Sequence, residues 1–357
     1  MRLEEHKLRA FGNRVFEHLG YSKEEANICT DVLLSSDKRG IKSHGFARLP
    51  GYIRLINEKR INPSPQLSIV REKGGTATMD ADGSIGLVSA SKAMDLAIAK
   101  CQKHGSGWVA IQNSNHFGIA AYHAMKALPE NMIGFALTNA SPLVSIANGS
   151  DRILGTNPIC VAIPSNKEIP FVLDMATSAV SNGKVEIAKR AQENLKGDWV
   201  QNSQGSVTKS PLDMEKGGSL LPLGSTIENS HYKGYGLGAW VDIFCGVLSG
   251  ANYGKFVPPF VSYLAPLASM PGKGIGHFVG AWDISGFRDI SEFKNEMDEW
   301  IRHIKSSQAM PGKEILIPGE KEHYSQLKSE KEGIFLEPLV YEKLKDIDSQ
   351  YQLNTRI

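Results

Sequence analysis

Four short apolar segments between residues 107 and 176 constrain the fold of this 357-residue chain more than any other feature. They are GWVAI (107–111), IGFALTN (133–139), CVAIP (160–164) and PFVLDMA (170–176), each close to turn-forming residues. Short apolar runs of this kind are typical of buried strands. Two more strands are predicted at 67–72 and 76–82 around a Gly-Gly turn, and one at 275–284. The middle of the chain is therefore predicted to form a sheet.

Amphipathic helices are predicted at both ends of the chain. Residues 3–19 place Leu8, Phe11 and Val15 on one face. Ser22 and Glu25 form an S-x-x-E capping box, which starts a second helix that ends near residue 38. Helical patterns also cover 43–56, 87–103, 180–196, 235–252 and 290–306, and a strand and a last helix are predicted within 333–347. The region 197–230 is predicted to be rich in loops.

These elements predict a mixed α/β fold. We expect residues 1–66 and 288–357 to pack together as a mainly helical domain, because both segments are dominated by amphipathic helices. Residues 67–287 are expected to form a central α/β domain that holds the sheet. A chain of this length is long enough for two domains.

Charge and composition exclude several classes of protein. The formal net charge is +2 with no long run of one sign, so no nucleic-acid partner is expected. No uninterrupted apolar stretch reaches the ~18 residues of a membrane span. The first residues, MRLEEHKLRAFGNR, are charged and do not resemble a secretory signal. The cysteines lie far apart in apolar segments, which favours reduced, buried thiols in a cytoplasmic protein.

The glycines of GSGWVA (105–110) fit the dinucleotide-binding pattern G-x-G-x-x-A in letters only. In that motif a strand precedes the glycines and a helix follows them, so that phosphate meets the helix N-terminus. Here a predicted helix precedes them and a strand follows. We interpret these glycines as a turn and do not predict a Rossmann domain.

His116, in the stretch NSNHFG (113–118), lies between a predicted strand and a predicted helix. Asn113, Ser114 and Asn115 before it are formers of turns and helix N-caps. At such a junction an imidazole can act as a general acid or base, although it can equally be a satisfied core histidine. His123 lies two helical turns further on, but no third ligand is apparent nearby, and no metal site is predicted.

Two further stretches carry candidate binding groups. In SHGFARL (43–49), a shared helical face is predicted for His44 and Arg48, where the guanidinium can grip a carboxylate with two hydrogen bonds. The alternative is a solvated face with a capping Ser43. In LDMATSA (173–179), Asp174 and the hydroxyls after it follow a strand, which suits either a polar ligand or an ordinary capped helix.

Six blocks of the sequence resemble one known family at its own order and spacing. They are SHGFARL (43–49), NSNHFGIAAY (113–122), LGTNPICVAIPS (154–165), LDMATSA (173–179), YKGYGLGAWVDIFCGVLSG (232–250) and PGE (318–320). The family is the malate/L-lactate dehydrogenase family, which also contains sulfolactate and ureidoglycolate dehydrogenases. It differs from the classical lactate and malate dehydrogenases, and the resemblance spans about residues 3–345.

The resemblance implies a homodimer that binds NAD or NADP without a Rossmann domain, close to the subunit interface. His116 looks like the catalytic acid/base, with His44 as the competing candidate, and Ser43 and Arg48 look like substrate contacts. Further positions resemble cofactor contacts: Ser141, Asp174, Met175, Ala176, Thr177, Ser178, Lys233, Gly234, Gly319 and Glu320.

The expected reaction is hydride transfer between the cofactor and a small 2-hydroxy acid, with malate and oxaloacetate as the leading pair. L-lactate, sulfolactate and ureidoglycolate are the alternatives within the family. From a different class, a metal-dependent hydrolase using His116 and His123 is a further hypothesis.

Overall fold

The computed structural model describes residues 1–355 and 357, and it has a mixed α/β fold. The helices are α1 Glu5–His18, α2 Lys23–Lys38, α3 Leu49–Asn57, α4 Gly86–His104, α5 Ala120–Met125, α6 Asn182–Ala191, α7 Tyr232–Asp242, α8 Ile290–Lys305, α9 Glu320–Glu332 and α10 Pro338–Gln350. The strands are β1 Arg2–Leu3, β2 Ser68–Lys73, β3 Thr76–Asp80, β4 Ser106–Ser114, β5 Met132–Thr138, β6 Val144–Ser145, β7 Arg152–Leu154, β8 Ile159–Ile163, β9 Phe171–Met175, β10 Val200–Gln201, β11 Val207–Thr208, β12 Ser219–Leu220, β13 Ile275–Asp283 and β14 Ile334–Phe335.

The central sheet contains all the strands predicted from 67–176 and 275–284. Its order is β2-β3-β4-β13-β5-β8-β9. Within residues 1–355, β3 and β4 form the one parallel pair of this sheet, and its other neighbours run antiparallel. A Rossmann domain needs a mostly parallel sheet wound through successive βαβ units. The topology therefore agrees with the expectation of a non-Rossmann fold.

Helices α4 and α5 cover one face of the central sheet. Alternation along β4 points Val109 and Ile111 into this core. A Cβ atom on Gly107 would come within 1.9 Å of the Ala97 carbonyl oxygen, so the close approach of α4 to β4 requires glycine there. Gly105, with φ of 77°, ends α4 in the left-handed conformation, which confirms the predicted turn at the first glycine, whereas Ser106 and Gly107 already belong to β4.

A second core joins the two ends of the chain. It combines Phe11, Phe16 and Leu33 of α1 and α2 with Leu344 and Ile347 of α10. Strand β1 pairs with β14 beside it. Helix α2 begins as predicted, since the Ser22 hydroxyl accepts the N–H of Glu25.

Helix α8 packs elsewhere, at the edge of the central sheet. Its Asp298 accepts backbone N–H bonds from residues 166–168, the turn between β8 and β9. Trp300 of the same helix meets Phe171 at the start of β9. The division into domains at residues 66 and 288 stays a prediction.

A small sheet occupies part of the region predicted as loops. Its order is β11-β10-β12-β6-β7, and three of these strands lie within 197–230. Each of those three is two residues long, too short for alternation to show in the sequence. The four cysteines are buried and unpaired, as predicted. Among the described residues, no helix is both long and apolar enough to cross a membrane.

Candidate active site

The segment that carries His116 is pinned rigidly to the rest of the fold. Strand β4 ends at Ser114 and α5 begins at Ala120, so His116 lies in the connection between them. The Asn115 side chain donates to the carbonyls of Arg60, Gly83 and Ser84 at 3.0–3.3 Å. Since Asn115 is 6% exposed, these bonds are shielded from water.

The predicted capping role of the Asn-Ser-Asn stretch is wrong. The N-cap of α5 is Ile119, and no side chain caps the helix. Asn113 instead adopts φ of 57° and donates to Asp80, while Ser114 bonds to Ser89 inside the core. Asparagine suits these two positions, because its short side chain tolerates the left-handed backbone found at residue 113 and its amide can hydrogen-bond to main-chain groups, as at residue 115.

The predicted helix over 43–56 begins later than expected. Ser43 and His44 lie in a turn, a short 3₁₀ helix covers Phe46–Arg48, and α3 follows. His44 and Arg48 are therefore not on one helical face. The turn is fixed by the buried carboxylate of Asp37, which accepts the N–H of Phe46 at 2.8 Å and fills the space that a Cβ atom of Gly45 would need.

His116 is held through its Nδ1 atom. The Tyr52 hydroxyl lies 2.7 Å from Nδ1, and the backbone N–H of Gly118 donates to the same nitrogen at 3.3 Å. Because a backbone N–H can only donate, Nδ1 is the acceptor, and the Tyr52 hydroxyl donates to it too. This hydrogen-bond pattern assigns the proton of the neutral ring to Nε2. Among the described residues no protein group bonds Nε2, so this nitrogen is left for a ligand.

His44, Arg48 and Phe260 surround the same ring. The His44 and His116 rings stack with centroids 5.5 Å apart, and Phe260 lies 4.6 Å from His116. The Ser43 hydroxyl pairs with Nδ1 of His44 at 2.8 Å. Arg48 donates through Nε to the Ser43 carbonyl, and its guanidinium carbon lies 5.8 Å from the Phe260 centroid. The four residues predicted for acid/base and substrate roles are thus brought together.

Both imidazoles of the site are neutral at pH 7. Burial and the positive charge of Arg48 lower the pKa of His44 to about 3. Burial, followed by the charges of His44, Arg48 and His277, lowers the pKa of His116 well below its ordinary value. A carboxylate bound to Arg48 would offset that cation and raise both pKa values. The arrangement can therefore bind an anion and exchange a proton beside it.

A second group of predicted residues meets at a cavity of about 190 Å³ beside β9. Asp174, Gly319 and Arg39 line it. The Asp174 carboxylate accepts the N–H of Ala121 at 2.9 Å, and burial raises its pKa to about 6. Gly319 has φ of 93° and presses against Val172, where a Cβ atom would come within 2.8 Å. Arg39 is buried, and its Nε atom has no partner among the described residues.

The remaining predicted cofactor residues continue from Asp174 along the chain or lie beside that stretch. Met175 and Ala176 are half-buried, while the hydroxyls of Thr177 and Ser178 bond to the backbone of Asn157 and Val180.

Lys233 and Gly234 lie in the first turn of α7, next to residue 177. The link is Leu223, whose N–H donates to the Thr177 carbonyl at 2.9 Å, and whose backbone lies 2.3 Å from where a Cβ of Gly234 would stand. Lys233 is exposed. Residues 174–178 and 233–234 therefore form one continuous strip of the molecule.

Two predicted cofactor residues already have structural partners. The Ser141 hydroxyl accepts the N–H of Phe260 at 2.9 Å and so holds that ring against His116. Glu320 is buried, bonds to Lys305 and Tyr324, and accepts the N–H of Ile317 at 2.9 Å. These contacts give both residues a positioning role in the fold.

The geometry offers no support for a metal centre at His116 and His123. Nε2 of His123 bonds to the Phe117 carbonyl at 2.8 Å, and the ring is fully buried. Burial lowers the pKa of His123 to about 4. Across residues 1–355 and 357, no group of three or more His, Cys, Asp or Glu side chains is placed to hold a metal ion.

Sequence reasoning missed Tyr52, Phe260 and Arg39. A signal existed for Tyr52, which follows Arg48 by four residues, the spacing that puts two side chains on one helical face. None existed for Phe260, because 144 residues separate it from His116 and its segment, 257–261, has no helical or strand pattern. Arg39 gave no distinguishing signal, because it lies at the end of α2, where basic residues are common.

Comparison with known proteins agrees with this fold. A model of the family described as malate/L-lactate dehydrogenase matches residues 3–345. The malate dehydrogenase of Pyrococcus abyssi is 42% identical, over 97% of this chain and 94% of the relative. The malate/(S)-sulfolactate dehydrogenase of Methanothermus fervidus is 38% identical, over 95% of each chain. The crystal structure of malate dehydrogenase from Entamoeba histolytica superposes with a TM-score of 0.91 at 31% identity, over 99% of this chain and 98% of that one.

Fold and sequence together place the protein among the hydroxy-acid dehydrogenases. Within that class, the chain belongs to the malate/L-lactate dehydrogenase family. The resemblance found in the sequence blocks is thereby confirmed over nearly the whole chain.

Proposed function

We propose that the protein transfers a hydride between NAD(P) and a small 2-hydroxy acid, with malate and oxaloacetate as the preferred pair. The observation that carries this proposal is the joining of Arg48, a carboxylate-binding cation, with the open Nε2 of His116. The names of relatives support malate, because two malate dehydrogenases are 42% and 40% identical. L-lactate, sulfolactate and ureidoglycolate are the alternative substrates.

Arg48 binds the substrate carboxylate in this mechanism. Its Nε is occupied by the Ser43 carbonyl, which fixes the plane of the guanidinium and leaves the terminal N–H groups free to donate. A planar guanidinium matches a carboxylate with two parallel hydrogen bonds. This pairing places the adjacent carbon, C2, and its oxygen next to His116.

His116 moves the proton at Nε2. For oxidation the ring takes the tautomer with its proton on Nδ1, donated to the Tyr52 hydroxyl, so that Nε2 can accept the proton of the C2 hydroxyl; during reduction the imidazolium returns that proton from Nε2 to the forming alkoxide. The Tyr52 hydroxyl at Nδ1 can donate to or accept from the ring, so Nδ1 keeps a partner in either tautomer and in the imidazolium. Carboxylate binding at Arg48 raises the pKa of His116, so the ring becomes a better base once substrate is in place. A bound nicotinamide would accept the hydride from C2 of the substrate or supply one to it.

The residues beside β9 fit a nicotinamide dinucleotide. The unpartnered Nε of buried Arg39 can donate to a ribose or phosphate oxygen. Gly319 lines the same cavity, and Asp174 can accept from a hydroxyl. The strip 174–178 with Lys233 and Gly234 would hold the rest of the dinucleotide. We propose NAD as the cofactor, with NADP as the other possibility.

The experiment follows NADH and NADPH absorbance with purified protein and a panel of 2-oxo acids. We expect the fastest fall with oxaloacetate and a slower one with pyruvate. Absorbance that stays constant with every 2-oxo acid would contradict the proposal. Activity that depends on a hydrolysable substrate and disappears with a chelator would instead support the metal-dependent hydrolase.

We further propose that the protein is a homodimer that pairs through the outer face of the central sheet. A groove of about 1060 Å³ runs over this face, with Trp108, Phe135 and Trp282 among its lining residues. Val247 and Leu248 also line this groove and are 59% and 56% exposed. A two-fold axis would bring these exposed side chains of each copy against the apolar groove of the other, as a self-complementary interface requires. Trp108 and His116 share one segment, so the site would lie near the interface.

Light scattering after gel filtration tests the dimer. The Val247→Glu variant should elute as a monomer, because it buries a charge in the interface. Leu327→Glu, on the exposed surface of α9, is the matched control and should stay dimeric. A monomeric wild type at tens of micromolar, or a dimeric Val247→Glu, would contradict this interface. A cytoplasmic location stays a further proposal, supported by the four buried, unpaired thiols.

A further inference from the structure

A small cavity adjoins the substrate-binding residues on the side of α6 and α10. Its volume is about 130 Å³, and Ser43 and Arg48 contribute to its wall. Arg48 also lies close enough to His44 and His116 to lower the pKa of both. The same arginine therefore borders both the proton-transfer site and the cavity.

One face of α6 supplies the opposite wall. Gly183, Glu186, Ile187 and Arg190 line the cavity, and their spacing of three and four residues puts them on one helical stripe. A Cβ atom on Gly183 would lie 3.1 Å from Cβ of Ser43, so the helix approaches the substrate-binding turn closely at this point. Arg190 lies two turns further along, at the far end of the stripe.

Positive charge exceeds negative charge around this cavity. Four basic side chains line it, those of Lys42, Arg48, Arg190 and Lys343, against the two carboxylates of Glu186 and Glu337. The excess of two positive charges equals the charge of a dicarboxylate. A monocarboxylate would offset only one of these two excess positive charges.

Arg190 is the cation best placed to meet a second carboxylate. Its contact with Glu337 spans 4.0 Å, the longest ion-pair distance in the described residues, and its side chain is 54% exposed. Lys42 lies over the Phe335 ring, 4.4 Å from the centroid. A guanidinium can also bind a carboxylate through two bonds, which an ammonium such as Lys343 cannot do.

We infer that Arg190 binds the distal carboxylate of a dicarboxylic substrate and so determines the preference for malate and oxaloacetate over lactate and pyruvate. This inference depends on the proposed function, because it takes the C1 carboxylate on Arg48 as given. Binding exchanges the long contact with Glu337 for a close one with substrate. The substrate then bridges the turn at Ser43 and helix α6.

The test compares kcat/KM for oxaloacetate and for pyruvate in Arg190→Gln. We expect the ratio of oxaloacetate to pyruvate to fall by about 10- to 100-fold, the usual loss when a charged hydrogen-bond pair is removed. Arg190→Lys should recover part of the ratio, because it keeps the charge. Lys189→Gln is the matched control: it removes one positive charge from the next position of α6, where Lys189 pairs with Glu215 outside the cavity.

Several outcomes would overturn the inference. One is an unchanged ratio in Arg190→Gln with a thermal unfolding midpoint equal to that of the wild type. A second is an equal fall in Lys189→Gln, which would reduce the effect to general electrostatics. A wild type that reduces pyruvate but not oxaloacetate would contradict the dicarboxylate subsite and would still agree with the proposed hydride transfer. A wild type that reduces no 2-oxo acid would contradict the proposed function itself.

Discussion

Two pairs of histidines close to the same loop differ in how their ring nitrogens are used. In the first pair, His116 has Nδ1 bonded to Tyr52 and Nε2 without a protein partner, and His44 stacks on it. In the second pair, His123 and His277 are fully buried. The centroid of each ring lies 4.9 Å from the centroid of the Phe117 ring. Phe117, which directly follows His116 in the chain, packs against both rings of this buried pair.

Protein groups bond to three of the four ring nitrogens of the second pair. His277 bonds through Nδ1 to Thr138 at 2.7 Å and through Nε2 to Ser114 at 2.8 Å. Nε2 of His123 bonds to the Phe117 carbonyl at 2.8 Å, whereas its Nδ1 has no partner among the described residues but is buried out of reach of a ligand. Rings held in this way stabilise the core and position the loop. The comparison teaches that the role of a histidine here depends on whether a nitrogen stays open to a ligand.

The largest expected effect is on turnover when the open nitrogen is removed. His116→Ala should lower kcat by about 10²–10⁴-fold, the usual contribution of a general acid/base, while cofactor affinity is nearly kept. Steady-state kinetics with oxaloacetate, and NADH titration by fluorescence, measure the two quantities. Near-wild-type turnover in His116→Ala, with loss in His44→Ala, would assign the proton transfer to His44.

Arg48→Ala tests the residue proposed to bind the substrate carboxylate beside His116. We expect KM for the 2-oxo acid to rise about 10- to 100-fold, since a charge-assisted pair of hydrogen bonds is lost. Initial rates over a wide substrate range separate KM from kcat. A large fall in kcat with an unchanged KM would show that Arg48 acts on the transition state and not on binding.

Tyr52→Phe tests whether Nδ1 must be held. The variant removes one neutral hydrogen bond, so kcat should fall about five- to tenfold with KM nearly kept. The pH profile of kcat should also move, because the imidazolium of His116 loses an acceptor at Nδ1. An unchanged pH profile would contradict the role of Tyr52 at His116, and an unchanged unfolding midpoint would exclude general damage.

The second pair of histidines should contribute to the stability of the fold and not to turnover. Burial lowers the pKa of His123 to about 4, whereas an unfolded histidine titrates near 6.5. The unfolded state therefore binds the proton first. The stabilising effect of a neutral His123 is complete above pH 6.5, and it is lost as pH falls from 6.5 to 4, by about 1.4 kcal/mol per pH unit.

Urea unfolding at several pH values measures this effect. His123→Leu should show a shallower loss of the free energy of unfolding between pH 6.5 and 4 than the wild type, with turnover at pH 7 nearly kept. Equal slopes in the two proteins would contradict the buried, neutral state of His123. Abolished turnover would show that His123 takes part in the reaction after all.

Much of the fold could be predicted because its signals are local. Short apolar runs located β4, β5, β8 and β9, and the Ser22 capping box gave the start of α2. The helix at 43–56 was predicted to begin too early. The buried carboxylate of Asp37 holds the preceding turn, and no pattern in the adjacent residues indicates that contact. The two-residue strands of the small sheet were missed for lack of any period.

The sequence by itself determined the α/β class, the strands of the central sheet, the family, and the residues most worth testing. Only the tertiary structure decided which nitrogen of which histidine is open. Those bonds join residues far apart in the chain, with 64 positions between Tyr52 and His116 and 163 between Ser114 and His277. Local patterns reflect the backbone periods of helices and strands, whereas the chemistry of an imidazole depends on partners that only the folded chain brings within hydrogen-bonding distance.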